Sequence, residues 1–145
     1  MSPKLILASI IAFSFFSLNL HAQKSKTDIP EEFFRIYESD PLKAIDYVFS
    51  TNTWMERNID GVENLKNKYK DLLPLIGEYY GYEKITEKNV GENLVLMSYL
   101  LKFDRQPIRF TFIMFRPDKN WQIQNFNFDD IIGDELEESA KQDRN

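Results

Sequence analysis

Residues 93–116 read NLVLMSYLLKFDRQPIRFTFIMFR, and this stretch decides the fold. Its second half alternates with a period of two residues, which is the side-chain period of a β-strand. One side of that strand is apolar throughout, at Ile108, Phe110, Phe112 and Met114. The other side is mixed, with Arg109 and Thr111 joined by Ile113 and Phe115. The turn-forming residues 104–106 therefore separate two predicted strands, at 93–103 and 107–116.

Two further strands are predicted on either side of this pair, at 82–90 and 121–128. Both connections are short and rich in turn-formers, at 90–92 and at 117–120. Loops of this length join antiparallel neighbours, because parallel neighbours need a long crossover. The sequence therefore predicts a four-stranded antiparallel meander.

The last strand changes parity along its length. Trp121 and Ile123 fall on one side of it, whereas Phe126 and Phe128 fall on the other. We expect either a bulge near Gln124-Asn125 that changes the face, or a strand with both faces partly covered.

Helical patterns precede the strands. Asp28 is predicted to cap a first helix, and Asp40-Pro41 repeats this start for a second helix. Residues 50–53 are turn-formers that predict a break. A third helix is predicted over 61–73, and Pro74 is expected to kink or end it.

The order of elements is α+β: N-terminal helices packed on an antiparallel meander. The predicted domain is 28–136, in which Ile131, Ile132 and Leu136 anchor a short terminal helix. Residues 137–145 are predicted to form an acidic tail.

The first 22 residues have the pattern of a cleaved signal peptide. Lys4 supplies the positive charge, an apolar run follows, and Ala22 gives a small residue before the cut. Residues 23–27 are predicted to be a flexible leader. We therefore expect an extracytoplasmic protein, periplasmic or secreted, without an integral membrane segment after processing.

Composition excludes several classes of function. Beyond residue 22 the chain carries 17 basic and 23 acidic side chains, a formal charge of −6, and it has no histidine and no cysteine. Histidine-dependent triads, cysteine nucleophiles, disulfides and zinc fingers are excluded. The acidic balance argues against nucleic acid as a partner. No cofactor and no metal are predicted.

Two segments carry a resemblance. Gly77–Glu83 reads GEYYGYE, and residues 121–130 read WQIQNFNFDD. With the order of elements, they resemble small secreted bacterial domains of unknown function that have a cystatin-like or nuclear-transport-factor-2-like fold. The resemblance covers about residues 42–132 and implies a curved sheet that wraps around helices as a cone. It implies no catalytic residues, because this fold carries enzymes, binders and interaction modules alike.

Aromatic residues provide the candidate site. The side chains predicted to line a ligand pocket in the cone are Tyr79, Tyr99, Phe110, Phe112, Met114 and Phe126. The same side chains equally fit an ordinary core, since aromatic stripes usually form one.

Polar candidates are weaker. Asp129-Asp130 has the chemistry of a hard-cation ligand or a base, but fits the start of a helix equally well. Asp104-Arg105 is predicted at a solvated hairpin tip. Ser98 has no histidine to activate it.

The predicted function is non-enzymatic: binding of a small apolar molecule or of an envelope protein. The alternative is a small lyase or isomerase with a carboxylate base and tyrosine donors. That enzyme needs an Asp or Glu in an apolar cavity, within hydrogen-bond reach of a tyrosine. A structural or dimerising module that uses the open sheet face is a third possibility.

Overall fold

The computed structural model describes residues 25–143. The predicted signal peptide, 1–22, and the first two residues of the predicted leader lie outside these residues. Within them the chain forms five helices and four strands. The elements are α1 (Asp28–Tyr37), α2 (Pro41–Ser50), α3 (Thr53–Glu56), α4 (Ile59–Ile76), β1 (Tyr79–Val90), β2 (Leu94–Phe103), β3 (Ile108–Phe115), β4 (Gln122–Asp129) and α5 (Ile132–Gln142).

The sheet is an antiparallel meander in the order β1-β2-β3-β4, which confirms the predicted α+β class. Helices α1, α2 and α4 contribute the buried residues that pack on one side of the sheet, here called the inner face. The opposite side is called the outer face. The predicted strands match the observed ones to within about three residues at each end.

A bulge in β4 explains the change of parity. Ile113 pairs with Asn125 and Met114 pairs with Ile123, so Gln124 is the extra residue. The bulge allows Ile123 and the later Phe126 both to point to the inner face. The first of the two predicted explanations is therefore correct.

The two N-terminal helices begin differently. At α2, Asp40 Oδ1 accepts hydrogen bonds from the backbone N–H groups of Leu42 and Lys43, both at 3.1 Å, and Pro41 follows as predicted. At α1 the predicted cap is wrong by one residue: Thr27 precedes the helix without a side-chain cap. Asp28 instead accepts a hydrogen bond from the N–H of Ser25 at 2.7 Å.

The third predicted helix is longer than expected. Helix α4 continues past Pro74 and ends at Ile76, and the next residue, Gly77, has a φ of +91°. Pro74 therefore does not end it, and Arg105 donates to the Pro74 carbonyl at 3.1 Å. The short helix α3 begins at the last residue of the predicted break, and it was missed because four residues give no periodic signal.

The core lies between the helices and the inner face, and Phe33 of α1 is at its centre. Its ring contacts those of Phe110, Phe112 and Phe126 with centroids 5.7, 5.1 and 5.3 Å apart. These are ordinary distances for packed aromatic pairs. Trp121, which directly follows the 117–120 turn, is also buried, with 7% of its surface exposed.

The terminal helix α5 is not anchored as predicted. Ile131 and Leu136 are exposed, and only Ile132 is partly buried. A salt bridge from Glu135 to Arg109 on the outer face, at 2.9 Å, holds the helix instead. Helix α5 runs to Gln142, through most of the predicted acidic tail.

Candidate functional site: the outer face of the sheet

The six residues predicted to bind a ligand lie on the inner face or next to it. Phe112 is 5.6 Å from Tyr99 and 5.0 Å from Phe126 between ring centroids, and Phe110 is 5.4 Å from Phe126. Met114 is fully buried on the same face. The structure thus brings these five together as neighbours in the core. Their role in ligand binding stays a prediction.

Tyr79, the sixth of these residues, lies at the edge of the core in a group of phenols. Its ring centroid is 5.0 Å from that of Tyr37, whose hydroxyl is hydrogen-bonded to the hydroxyl of Tyr69. The Tyr79 hydroxyl is buried and has no hydrogen-bond partner in residues 25–143. Burial raises the pKa of Tyr37 to about 12, and it raises the pKa of Tyr69 and Tyr79 above that of an exposed phenol.

The carboxylates of the described residues lie outside the core that contains these tyrosine hydroxyls. The buried polar residues of the described part are Asn52 and Ser98, at 4% and 2% exposed, and no Asp or Glu there is buried to that degree. The buried hydroxyl of Tyr99 donates to the sulfur of Met97 at 3.5 Å. Tyr80 does reach a carboxylate, that of Glu78 at 3.1 Å, but this pair is exposed to solvent.

The two polar pairs considered from the sequence, Asp104-Arg105 and Asp129-Asp130, both make structural hydrogen bonds. Asp104 Oδ1 accepts a hydrogen bond from the N–H of Glu78 at 2.8 Å, which ties the β2–β3 turn to the end of α4. Asp129 Oδ1 accepts one from the N–H of Ile131 at 2.9 Å, just before α5. Both contacts agree with the interpretation of these aspartates as residues of a hairpin turn and of a helix start.

The outer face is built from four rows of paired residues that cross the sheet. Because paired residues in a ladder share a face, the register gives each row directly. The rows are Glu83–Leu100–Arg109–Asp129, Thr86–Ser98–Thr111–Asn127, Lys88–Leu96–Ile113–Asn125 and Val90–Leu94–Phe115–Gln122.

The two central strands make this face apolar. Their large side chains here are only partly buried and stand apart from the core cluster that fills the inner face. We call them the outer patch: Leu94, Leu96, Leu100, Ile113 and Phe115. A sheet face that is simply solvated normally carries polar side chains at these positions.

A polar row lies between parts of the outer patch. Ser98 is 2% exposed, and its hydroxyl has no hydrogen-bond partner among the described residues. Its cross-strand neighbours are Thr86 and Thr111. A buried hydroxyl without a partner costs free energy, about 1–3 kcal/mol in proteins. The outer face therefore holds an unused hydrogen-bonding group within an apolar surface.

One end of the face is closed by charge. Arg109 donates to Asp129 at 3.0 Å and to Glu135 of α5 at 2.9 Å, and all three side chains are mostly buried. Burial lowers the pKa of Arg109, but the hydrogen bonds to these two carboxylates outweigh it and raise the pKa overall. This network holds α5 at the end of the outer face that contains Leu100. It does not extend to the opposite end, which contains Phe115.

The alternation that creates this face is visible in the sequence, but the six candidate ligand-binding residues were predicted on the inner side. The open face was predicted only as the possible surface of a structural or dimerising module. The signal was the pair Ile113 and Phe115, which are apolar and share a side with Arg109 and Thr111. The contribution of β2 was not separable from sequence, because Leu94, Leu96 and Leu100 lie in a run that is apolar on both sides.

Other types of site have less support. Residues 25–143 hold no group of three or more Asp, Glu, His or Cys side chains placed to bind a metal ion. In the same part of the chain, no helix is both long and apolar enough to cross a bilayer. Comparison with protein-family models, curated proteins and solved structures found no match to this chain.

Proposed function

We propose that this protein is an exported, non-enzymatic interaction domain of the cell envelope, and that it binds a protein partner through the outer patch. The observation that carries the proposal is the partly exposed apolar surface of β2 and β3. Burial of apolar surface by a partner is favourable, by about 25 cal/mol for each Å² that is removed from water. The signal-peptide pattern of residues 1–22 supports export.

The arrangement of layers supports the cone-shaped fold that the resemblance implies. Helices cover the inner face of an antiparallel meander, and bulges in β1 and β4 interrupt the ladder at both edge strands. Bulges bend the strands in which they occur, so both edges of this sheet are built to curve.

A protein partner is favoured over a small apolar ligand. Four of the residues predicted to bind such a ligand pack against one another, at ring distances of 5.0 to 5.6 Å: Tyr99, Phe110, Phe112 and Phe126. A ligand between them would have to displace packed side chains, at a cost of about 1–3 kcal/mol. The outer patch needs no such rearrangement.

The lyase or isomerase alternative has less support from the contacts. It requires a carboxylate in an apolar cavity beside a tyrosine hydroxyl. The buried hydroxyls of Tyr37, Tyr69 and Tyr99 have tyrosine or methionine partners. Their pKa is raised, which makes them poorer proton donors near neutral pH.

Site-specific photo-cross-linking in cells tests the proposal. A photoreactive amino acid at position 96 or 113 should form covalent adducts with a protein, identified by mass spectrometry. The matched control is position 70, where Lys70 is exposed on α4. Adducts at 96 and 113 but not at 70 are the expected result. Equal adduct yields at all three positions would refute the outer patch as the binding surface.

A further inference from the structure

A second surface lies on the helical side of the molecule. Helices α2, α3 and α4 enclose a groove of about 280 Å³. It is lined by Asp46, Phe49, Glu56, Ile59, Val62 and Glu63, and is here called the helical groove. It shares no residue with the outer patch.

The groove and its margin expose large apolar side chains. Ile59 in its wall is 68% exposed, and Trp54 on α3 is 74% exposed with Arg57 5.0 Å above its ring. Phe49 and Val62 supply a more buried apolar lining. A tryptophan this exposed is unusual. Tryptophan is enriched among the residues that dominate the binding energy of protein interfaces.

Charge decides what this surface accepts. Asp46 and Glu63 share a single cation, Lys66, with both N–O distances 2.9 Å. The third lining carboxylate, Glu56, has no ion pair in the described chain. With Lys66 counted, the groove therefore carries net negative charge beside exposed apolar surface.

We propose that the helical groove binds a segment of another protein that presents a lysine or arginine next to a large apolar side chain. The volume of about 280 Å³ lies just below the range of about 300–1,000 Å³ that is typical of small-molecule pockets. The cation pairs with Glu56, and the apolar side chain lies against Ile59 and Trp54. Opposite charge across the contact gives it specificity.

Binding of a designed probe tests this proposal. The probe is a fluorescein-labelled amphipathic peptide of leucine and lysine, measured by fluorescence anisotropy. Two matched peptides replace every lysine with glutamate, or every leucine with serine. The leucine–lysine peptide should bind saturably and at least about tenfold more tightly than either matched peptide, a difference of about 1.4 kcal/mol. Equal binding of the serine peptide would mean that charge alone acts, and would overturn the proposal.

Variants of the exposed residues locate the binding site. Glu56→Lys and Trp54→Ser should each weaken binding by about tenfold, the loss expected for a residue that dominates an interface. The controls are Glu92→Lys, which makes the same charge change at the β1–β2 turn, and Leu75→Ser, at a residue 67% exposed on α4. Controls that weaken binding as much as the groove variants would overturn the proposal.

Intrinsic fluorescence provides a second readout. Trp121 is buried, so a change on binding reports Trp54. A blue shift with the leucine–lysine peptide supports the proposal, and unchanged emission at saturation contradicts it. None of these variants alters the outer patch, so failure here leaves the cross-linking test unaffected.

Discussion

Single residues define the joint between helix and sheet, and Gly77 is the clearest example. Its φ of +91° is a conformation that side chains rarely adopt, and a Cβ there would lie 1.6 Å from Asp104 Oδ1. The same carboxylate accepts the N–H of Glu78, so it is not free to move away without breaking that bond. Only glycine therefore allows α4 to end against the β2–β3 turn.

Gly77→Ala should lower the free energy of unfolding by about 1–3 kcal/mol, the range for a strained backbone position. Chemical denaturation of the purified protein measures it. The matched control is Gly133→Ala in α5, where an added Cβ meets nothing within 4 Å. That change should be neutral or stabilising by about 0.5–1 kcal/mol. Equal effects of the two substitutions would contradict the account of Gly77.

Glu87 on β1 gives a prediction for pH. Hydrogen bonds from Lys26 and Lys84 lower the pKa of Glu87 to about 2. Because the folded pKa lies below the unfolded value of 4.5, the stabilisation is complete above 4.5 and is lost as the pH falls toward 2.

Glu87→Gln should therefore lower the free energy of unfolding at pH 7, by about 0.5–1 kcal/mol for partly exposed pairs. The difference from wild type should shrink as the pH falls below 4.5 and vanish only below pH 2. Glu92→Gln, at an exposed turn position, is the control and should show no such trend. A difference that grows on acidification would contradict the assignment.

At the scale of elements, local signals were sufficient for most of the fold. Alternation and turn residues placed the four strands, because both depend on neighbours in the chain. Contacts between distant segments were not predictable. The Thr51 hydroxyl accepts a hydrogen bond from the N–H of Ile123 at 3.0 Å, and the Asn52 side chain donates one to the carbonyl of Ile123 at 2.7 Å. Thr51 and Asn52 were predicted only to interrupt the helices. They hold the bulged edge strand β4, which lies about 70 positions further along the chain.

Helix capping gives a test at this scale. Asp40→Ala removes the acceptor for two N–H groups of α2 and should cost about 1 kcal/mol of stability. Thr27→Ala, at the start of α1, is the control, because Thr27 makes no side-chain cap. Thermal unfolding followed by circular dichroism compares them. A Thr27→Ala loss as large as that of Asp40→Ala would show that capping is not the cause.

The packing of the inner face is tested by adding volume. Met114 is fully buried between β2 and β4, so Met114→Trp should overpack the core and cost about 1–3 kcal/mol. Thermal stability is measured together with binding of an apolar fluorescent dye to the wild type. An unchanged melting temperature, combined with saturable dye binding by the folded wild type, would instead favour a hollow cone that binds a ligand.

At the scale of the whole molecule, the two sides of the sheet have different surroundings. The inner face is filled by α1, α2 and α4, and its packed aromatic residues form the core of a chain that has no cysteine. The outer face keeps the apolar outer patch near water, with the Arg109 network at one end. The candidate site was only partly predictable. The sequence shows two apolar faces of the sheet, but not which face the helices cover and which stays accessible.

The central claim is that a partner covers the outer patch in the cell envelope. Oxidative footprinting tests it by comparing modification of Leu94, Leu96 and Phe115 in intact cells with that in the dilute purified protein. The exposed Leu75 on α4 is the internal control. We predict several-fold protection of the outer patch in cells and equal modification of Leu75 in both samples. Equal modification of the outer patch in cells and in the purified protein would contradict the account.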